Sequence, residues 1–312
     1  METWTQDGVT IHTGDALEVL ATMPDDSVDL IFASPPYEAA RTYSIDFKLR
    51  GQAWVDWGVE RYLECVRVSR GLVAWVVEGQ TRKFQWSATP ALLMSDLHRA
   101  GVRLRKPPIF YRVGIPGSGG PDWWRNDYEF VICASKGKLP WSDNTAIGHI
   151  PKYDAGGDPS NRKPDGQRVN RKIAGGRRIP KIDNFLNNGG PPGSKMHTKT
   201  EANGEKRTQC YIPPELANPG NVIKVNVGGG LLGSDLAHEN EAPFPISLVY
   251  PFIVSFCPPG GTVCDCFCGS GTTLVCAINN GRRAIGIDVR ESQVELSKKR
   301  IGLECQQRKL FT

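Results

Sequence analysis

The chain has 312 residues, 39% hydrophobic and 23% charged, which is the composition of a folded protein long enough for one large core or two smaller ones. No apolar stretch approaches membrane-spanning length, and the start Met1-Glu2-Thr3-Trp4-Thr5-Gln6 has neither the basic region nor the apolar run of a secretory signal, so a cytoplasmic protein with no membrane partner is expected. The net charge of +5 is uneven: from Pro151 to Cys210 thirteen Lys and Arg stand against six acids, while the remaining residues carry −2, which points to a polyanionic partner met by that one segment.

Val9-Thr10-Ile11-His12 alternates like a strand and ends at Thr13-Gly14-Asp15, after which Ala16 to Leu20 has helical character with Asp15 placed as its cap. Val28-Asp29-Leu30-Ile31-Phe32-Ala33 reads as a buried strand. It is stopped by Ser34-Pro35-Pro36-Tyr37, because two prolines cannot donate ladder bonds and each fixes φ. Strand, helix and strand in quick succession predict a parallel sheet. Glu38 to Gly51 reads as a polar loop over a site, Trp54 to Val68 as an amphipathic helix, Gly71 to Glu78 as a buried strand, and Ala91 to Ala100 as a helix ended by Gly101. Ile109–Val113 and Tyr128–Ala134, joined by a Gly- and Pro-rich loop, predict an antiparallel edge hairpin.

From Trp141 to about Gly230 sustained periodicity is missing, so the domain reading is 1–138 and 233–312 for one folded body and 139–232 for an irregular basic insert. Ile246 to Cys257 is an apolar helix, Thr262 to Cys266 a strand, Phe267 to Gly271 a tight turn, Thr272 to Asn279 a helix, Arg283 to Asp288 a strand, and Glu291 to Ile301 a closing helix. Of the nine cysteines, Cys264, Cys266, Cys268 and Cys276 crowd one apolar neighbourhood without C-x2-C spacing; buried free thiols and no metal are expected.

Strand, Gly-x-Gly turn, helix, and strand ending in an acid make a nucleotide-cofactor half-site. The glycines let backbone approach the ligand, the helix N-terminus offers free N–H groups, and Asp288 is placed to hold ribose hydroxyls. A Walker site needs G-K-[ST], which is absent, and a dinucleotide fingerprint wants glycine where the chain has Leu274. Asp265 before the turn would repel a pyrophosphate but suits a ligand carrying an ammonium group. S-adenosylmethionine is such a ligand.

Asp265-Cys266-Phe267-Cys268-Gly269-Ser270-Gly271-Thr272 resembles the D-P-F-x-G-x-G-T cofactor motif of the amino-group DNA methyltransferases, and Ser34-Pro35-Pro36-Tyr37 resembles their catalytic [DNS]-P-P-[YFW]. The order catalytic motif, insert, cofactor motif is that of their β class. The chain departs from the pattern at Cys266, where proline is usual. The resemblance implies an α/β fold: a circularly permuted Rossmann-like methyltransferase sheet, mostly parallel with an antiparallel edge hairpin, plus the basic recognition insert. It further implies that Asp265 faces the methionine moiety of S-adenosylmethionine, Asp288 the ribose and Asp15 the adenine side, with Phe267, Gly269, Gly271 and Thr272 completing the pocket and His238 beside the methionine carboxylate.

The implied reaction is methyl transfer to an exocyclic base nitrogen in double-stranded DNA, reached by base flipping, with the Ser34 hydroxyl and Pro35 carbonyl accepting the amine's N–H bonds, Pro36 stiffening the loop and Tyr37 stacking on the base. No covalent intermediate is needed, so no cysteine is assigned a catalytic role. In this family S-P-P goes with cytosine N4 more often than D-P-P does, so cytosine N4 is expected, with adenine N6 as the alternative and a non-catalytic DNA-binding protein retaining the fold as a second. Arg162, Lys163, Arg168, Arg171, Lys172, Arg177, Arg178 and Lys181 of the insert are the expected DNA contacts. The resemblance also admits a homodimer, and a partner restriction endonuclease in a prokaryotic or phage setting.

Overall fold

Val28–Ala33 is buried along almost its whole length, as strands are when a parallel sheet is covered on both faces. The computed structural model in which it lies describes residues 2–39, 47–114, 120–150, 195–200, 206–211, 216–227 and 244–310. In chain order the elements are β1 (Glu2–Gln6), β2 (Val9–Thr13), α1 (Ala16–Thr22), β3 (Val28–Ala33), α2 (Gly51–Val68), β4 (Ser69–Val77), β5 (Thr81–Arg82), β6 (Gln85–Trp86), α3 (Thr89–Arg99), β7 (Leu104–Arg105), β8 (Ile109–Val113) and β9 (Tyr128–Ala134). Then come β10 (Lys195–Thr200), β11 (Lys206–Tyr211), β12 (Val222–Asn226), α4 (Ile246–Phe256), β13 (Thr262–Asp265), α5 (Thr272–Asn279), β14 (Arg283–Asp288) and α6 (Glu291–Leu310).

Residues Met1–Ile147 with Pro219–Thr312 make one unit, and Gly148–Asn218 another. In the first, the sheet order is β1-β2-β14-β13-β3-β4-β9-β8-β12, with β7 beside β9. The five central strands, β2 through β4 in that order, run parallel. β9 reverses against β4 and β8 against β9, giving the antiparallel side of the sheet. The late strands β13 and β14 sit between the early strands β2 and β3, which is the permuted order expected from the motifs.

Alternation along the strands sends Leu30 and Phe32 to one face, packed with α4, α5 and α6, and Ile31 and Ala33 to the other, packed with α1, α2 and α3. From β13 the chain crosses through α5 towards β14, and from β3 through α2 towards β4, so the two connections leave in opposite directions. The boundary between β13 and β3 is therefore a topological switch point, where open α/β sheets bind ligands beyond their carboxyl ends.

Several elements differ from the sequence reading. Val222–Asn226, placed there inside the insert, is the edge strand β12, parallel to β8; only Val225 is buried and Lys224 interrupts the apolar run, which hides its periodicity. β1 is mostly exposed and polar, and was not legible as a strand. In the second unit the described residues form the hairpin β10–β11, in register from Lys195 opposite Tyr211 to Thr200 opposite Lys206, and a bridge between His149 and Ala217. Among the described residues no helix is long and apolar enough to cross a membrane. Among the described residues eight cysteines, Cys264, Cys266, Cys268 and Cys276 among them, are buried free thiols.

Candidate functional site

The turn after β13 is built by its glycines and clamped from behind. Gly269 and Gly271 have φ of 50° and 79°, the left-handed region where a side chain is strained, and Gly271 caps α5 from that conformation. The Gly269 amide donates to Asp288 Oδ2 at 2.9 Å and the Cys268 amide to the Ile287 carbonyl at 2.9 Å, tying the turn to the end of β14. Two residues of α6, absent from the sequence reading, complete the clamp. Ser297 Oγ donates to the Gly269 carbonyl at 2.6 Å, and Arg300 Nη1 to the Ser270 carbonyl at 2.6 Å and to Thr272 Oγ1 at 3.2 Å. Arg300 is buried, which brings its guanidinium down to about 10.

Asp265 does not point into the cleft. It is fully buried beneath the turn, where Oδ1 accepts the Phe267 amide at 3.1 Å, while Oδ2 makes no well-formed hydrogen bond among the described residues. Burial pushes its carboxyl up to about 7, the nearby Thr273 hydroxyl and the Phe267 amide offset part of the rise, and the Asp288 charge adds to it. The sequence placed an acid before the turn but could not show that its side chain turns inward.

Asp15 is both the cap of α1 and a residue of the cavity wall. Its Oδ1 accepts the Leu17 amide at 2.9 Å as the cap of α1, and its carboxylate borders the cavity. It is also paired with the buried Arg61 of α2 at 2.9 Å, whose guanidinium lies 4.4 Å from the centre of the Trp57 ring. Trp57 meets Phe267 at 5.7 Å and Phe47 at 5.0 Å between ring centres, an aromatic wall of which only Phe267 was foreseen.

Across the switch point stands the Ser34–Tyr37 loop. Trp54 Nε1 donates to the Pro36 carbonyl at 2.8 Å, Ser34 Oγ donates to the Val76 carbonyl at 3.3 Å, and the Tyr37 hydroxyl donates to Glu129 Oε2 at 2.6 Å. Glu129, on β9, is buried and paired with Arg112 of β8 at 2.9 Å. Glu38, expected in a polar loop over the site, is buried; its carboxylate accepts the Gly51 and Gln80 amides at 3.0 Å each, joining the loop to the start of α2 and the segment after β4.

A cavity of about 520 Å³ joins the two halves. Asp15, Phe267, Gly269, Thr272 and Asp288 line one end, and Ser34, Pro36, Tyr37, Arg112 and Glu129 the other. Pro35 is buried behind the wall. The volume falls in the range of roughly 300–1,000 Å³ usual for small-molecule and cofactor sites. His238 and the basic residues Arg162, Lys163, Arg168, Arg171, Lys172, Arg177, Arg178 and Lys181 lie outside the described residues.

A cleft at the switch point of a permuted Rossmann-like sheet, with a glycine turn on one bank and S-P-P-Y on the other, defines a methyltransferase of that fold. The family model described as DNA methylase, of the N6/N4 type, matches residues 28–299, and the chain belongs to the β-class amino-group DNA methyltransferases.

Among its relatives, the DNA adenine methyltransferase YhdJ of Escherichia coli K12 is 25% identical over 293 residues, 94% of this chain and 82% of that protein. The type II methyltransferase M.ScaI of Streptomyces caespitosus is 23% identical over 314 residues, 96% of this chain and 83% of that one. The solved structure of the PvuII DNA methyltransferase, described as cytosine-N4-specific, shares the fold with a TM-score of 0.62 at 18% identity, covering 94% of this chain and 86% of that chain.

Proposed function

We propose that this chain is an S-adenosylmethionine-dependent DNA methyltransferase acting on the exocyclic N4 of cytosine in duplex DNA. The observation that carries the reading is the position of Ser34, at the carboxyl end of β3 and on the same cavity as the glycine turn at the end of neighbouring β13.

The residues present suit the cofactor. Asp288 and Asp15 each offer carboxylate lone pairs to ribose hydroxyls or ring amino groups, the Phe267–Trp57 wall offers an aromatic face, and Gly269 leaves backbone open to close approach. A related fold, the putative DNA modification methylase TTHA0409 of Thermus thermophilus, is described as complexed with S-adenosyl-L-methionine; it has a TM-score of 0.53 at 20% identity and covers 94% of this chain and 95% of that chain. When bound, the cofactor supplies an electrophilic methyl on a sulfonium.

The target amine is a weak nucleophile because its lone pair is delocalised into the ring. Ser34 Oγ spends its proton on the Val76 carbonyl, so the lone pairs of the oxygen remain for the amine's N–H. Pro35, expected as the second acceptor, lies behind the cavity wall, so Ser34 is the acceptor of this loop that borders the cavity. Its oxygen would align the nitrogen and stabilise the positive charge that grows on it as the N–C bond forms and the methyl's bond to sulfur breaks, after which the surplus proton leaves the nitrogen for solvent. Tyr37 offers the flipped base a ring to stack on.

The choice of cytosine N4 rests on Ser34; the adenine specificity in the name of YhdJ keeps adenine N6 as the alternative. The test is transfer of tritium from labelled cofactor to duplex DNA. Ser34→Ala is expected to lower transfer by about 10²-fold or more while cofactor affinity stays within about twofold of wild type. Equal transfer by the variant contradicts the assignment.

A further inference from the structure

We propose that Glu129, held by Arg112, is the positioning residue that sets the orientation of the Tyr37 ring for stacking on the target base. This inference rests on the reading of the protein as a DNA methyltransferase.

The two prolines fix the backbone up to Tyr37 but not its ring, because the χ2 torsion of tyrosine has a broad, roughly two-fold preference. The ring is held at its far end. Its hydroxyl donates at 2.6 Å to a carboxylate contributed by β9, 92 residues further along the chain. That carboxylate is itself immobilised: Glu129 is only 7% exposed, and its other oxygen accepts Arg112 Nη1 at 2.9 Å.

Arg112 in turn donates through Nη2 to the Asn126 carbonyl at 3.1 Å, so the tether is anchored in the β8–β9 hairpin. Glu78, directly after β4, also lies near Glu129 and Arg112, and its Oε1 accepts the Gly79 amide and Trp86 Nε1. All three members, Tyr37, Glu129 and Arg112, line the cavity that holds Ser34.

A buried ion pair between two strands is weak evidence of stabilisation. Here its carboxylate also reaches a catalytic-loop side chain, which a purely structural pair does not require. Because phenylalanine and tryptophan also fill this motif position in the family, the hydroxyl is dispensable for stacking as such. In this chain it supplies the tether.

The test is a double-mutant cycle on the full chain with Glu129→Gln, Tyr37→Phe and the combination, read as methyl transfer to duplex DNA at saturating cofactor. Each single change is expected to lower kcat about tenfold with cofactor affinity unchanged, and the double variant to be no slower than the worse single one, because both break one tether. Wild-type kcat in Tyr37→Phe, or single effects that multiply in the double variant, overturns the proposal.

Tyr37→Phe removes only a hydroxyl at a partly buried loop and keeps the test open should Glu129→Gln not fold. If wild-type protein transfers no methyl to DNA, the functional reading fails instead. The same cycle read as thermal midpoints then decides the tether: coupled effects uphold the contact and additive ones remove it.

Discussion

Asp288 Oδ2 accepts the Gly269 amide at 2.9 Å, so the acid at the end of β14 holds the glycine turn at the end of β13 as well as bordering the cavity. Its other oxygen accepts the Arg290 amide at 2.9 Å. Asp288→Ala therefore leaves a buried amide unpaired, at a cost of about 1–3 kcal/mol. It should lower the thermal midpoint and weaken S-adenosylmethionine binding by about tenfold or more in calorimetry. Asp288→Asn, which keeps an acceptor for Gly269, should lie between the two. Wild-type affinity in Asp288→Ala would remove Asp288 from the site.

Asp265 gives a pH-dependent signature. Its folded carboxyl titrates near 7, against an unfolded value of about 3.9, so between those values the folded chain keeps a proton that the unfolded chain has released. Stability contributed by this group falls as pH rises through that window, and the penalty is fully present above it. Asp265→Asn keeps an oxygen for the Phe267 amide and removes the penalty. The melting point of the variant, without cofactor, should exceed that of wild type at pH 8 by a few degrees, with the gap closing by about pH 4. A gap of equal size at both pH values rules out the buried carboxylate as its source.

Gly71 marks the closest packing behind the catalytic strand. A Cβ there would lie 1.9 Å from the backbone oxygen of Asp29, beside the register shift between β3 and β4. Gly71→Ala must displace one of the two strands, costing about 1–3 kcal/mol or more. Because β3 delivers Ser34, methyl transfer should fall with the melting temperature. Gly302→Ala is the control: within α6 its Cβ meets nothing within 4 Å, and the change should be stabilising by about 0.5–1 kcal/mol. Thermal melts of the two variants separate close packing from a general effect of removing glycine.

What could be read from sequence was whatever is local. Val28–Ala33, Thr272–Asn279 and Arg283–Asp288 have the bounds expected of them, because a short apolar run, a glycine in the left-handed region and two prolines each act within a few residues. The relations that shape the cavity are not local. Arg61 meets Asp15 across 46 residues, Glu129 meets Tyr37 across 92, and Arg300 grips Ser270 across 30 from a helix rich in charged residues. Polar pairs of that kind leave no periodicity to detect. Asp265 shows the same limit in one residue: spacing located the acid, while burial decided that it supports the turn from below.

The most direct measurement is to express the chain in a host without DNA methylation and to sequence its genomic DNA by a method that separates N4-methylcytosine from N6-methyladenine. The account predicts N4-methylcytosine within one recurring motif, lost in the Ser34→Ala variant. N6-methyladenine in such a motif would keep the enzyme and reverse the target assigned from Ser34. Unmodified DNA from cells containing soluble protein would contradict the account.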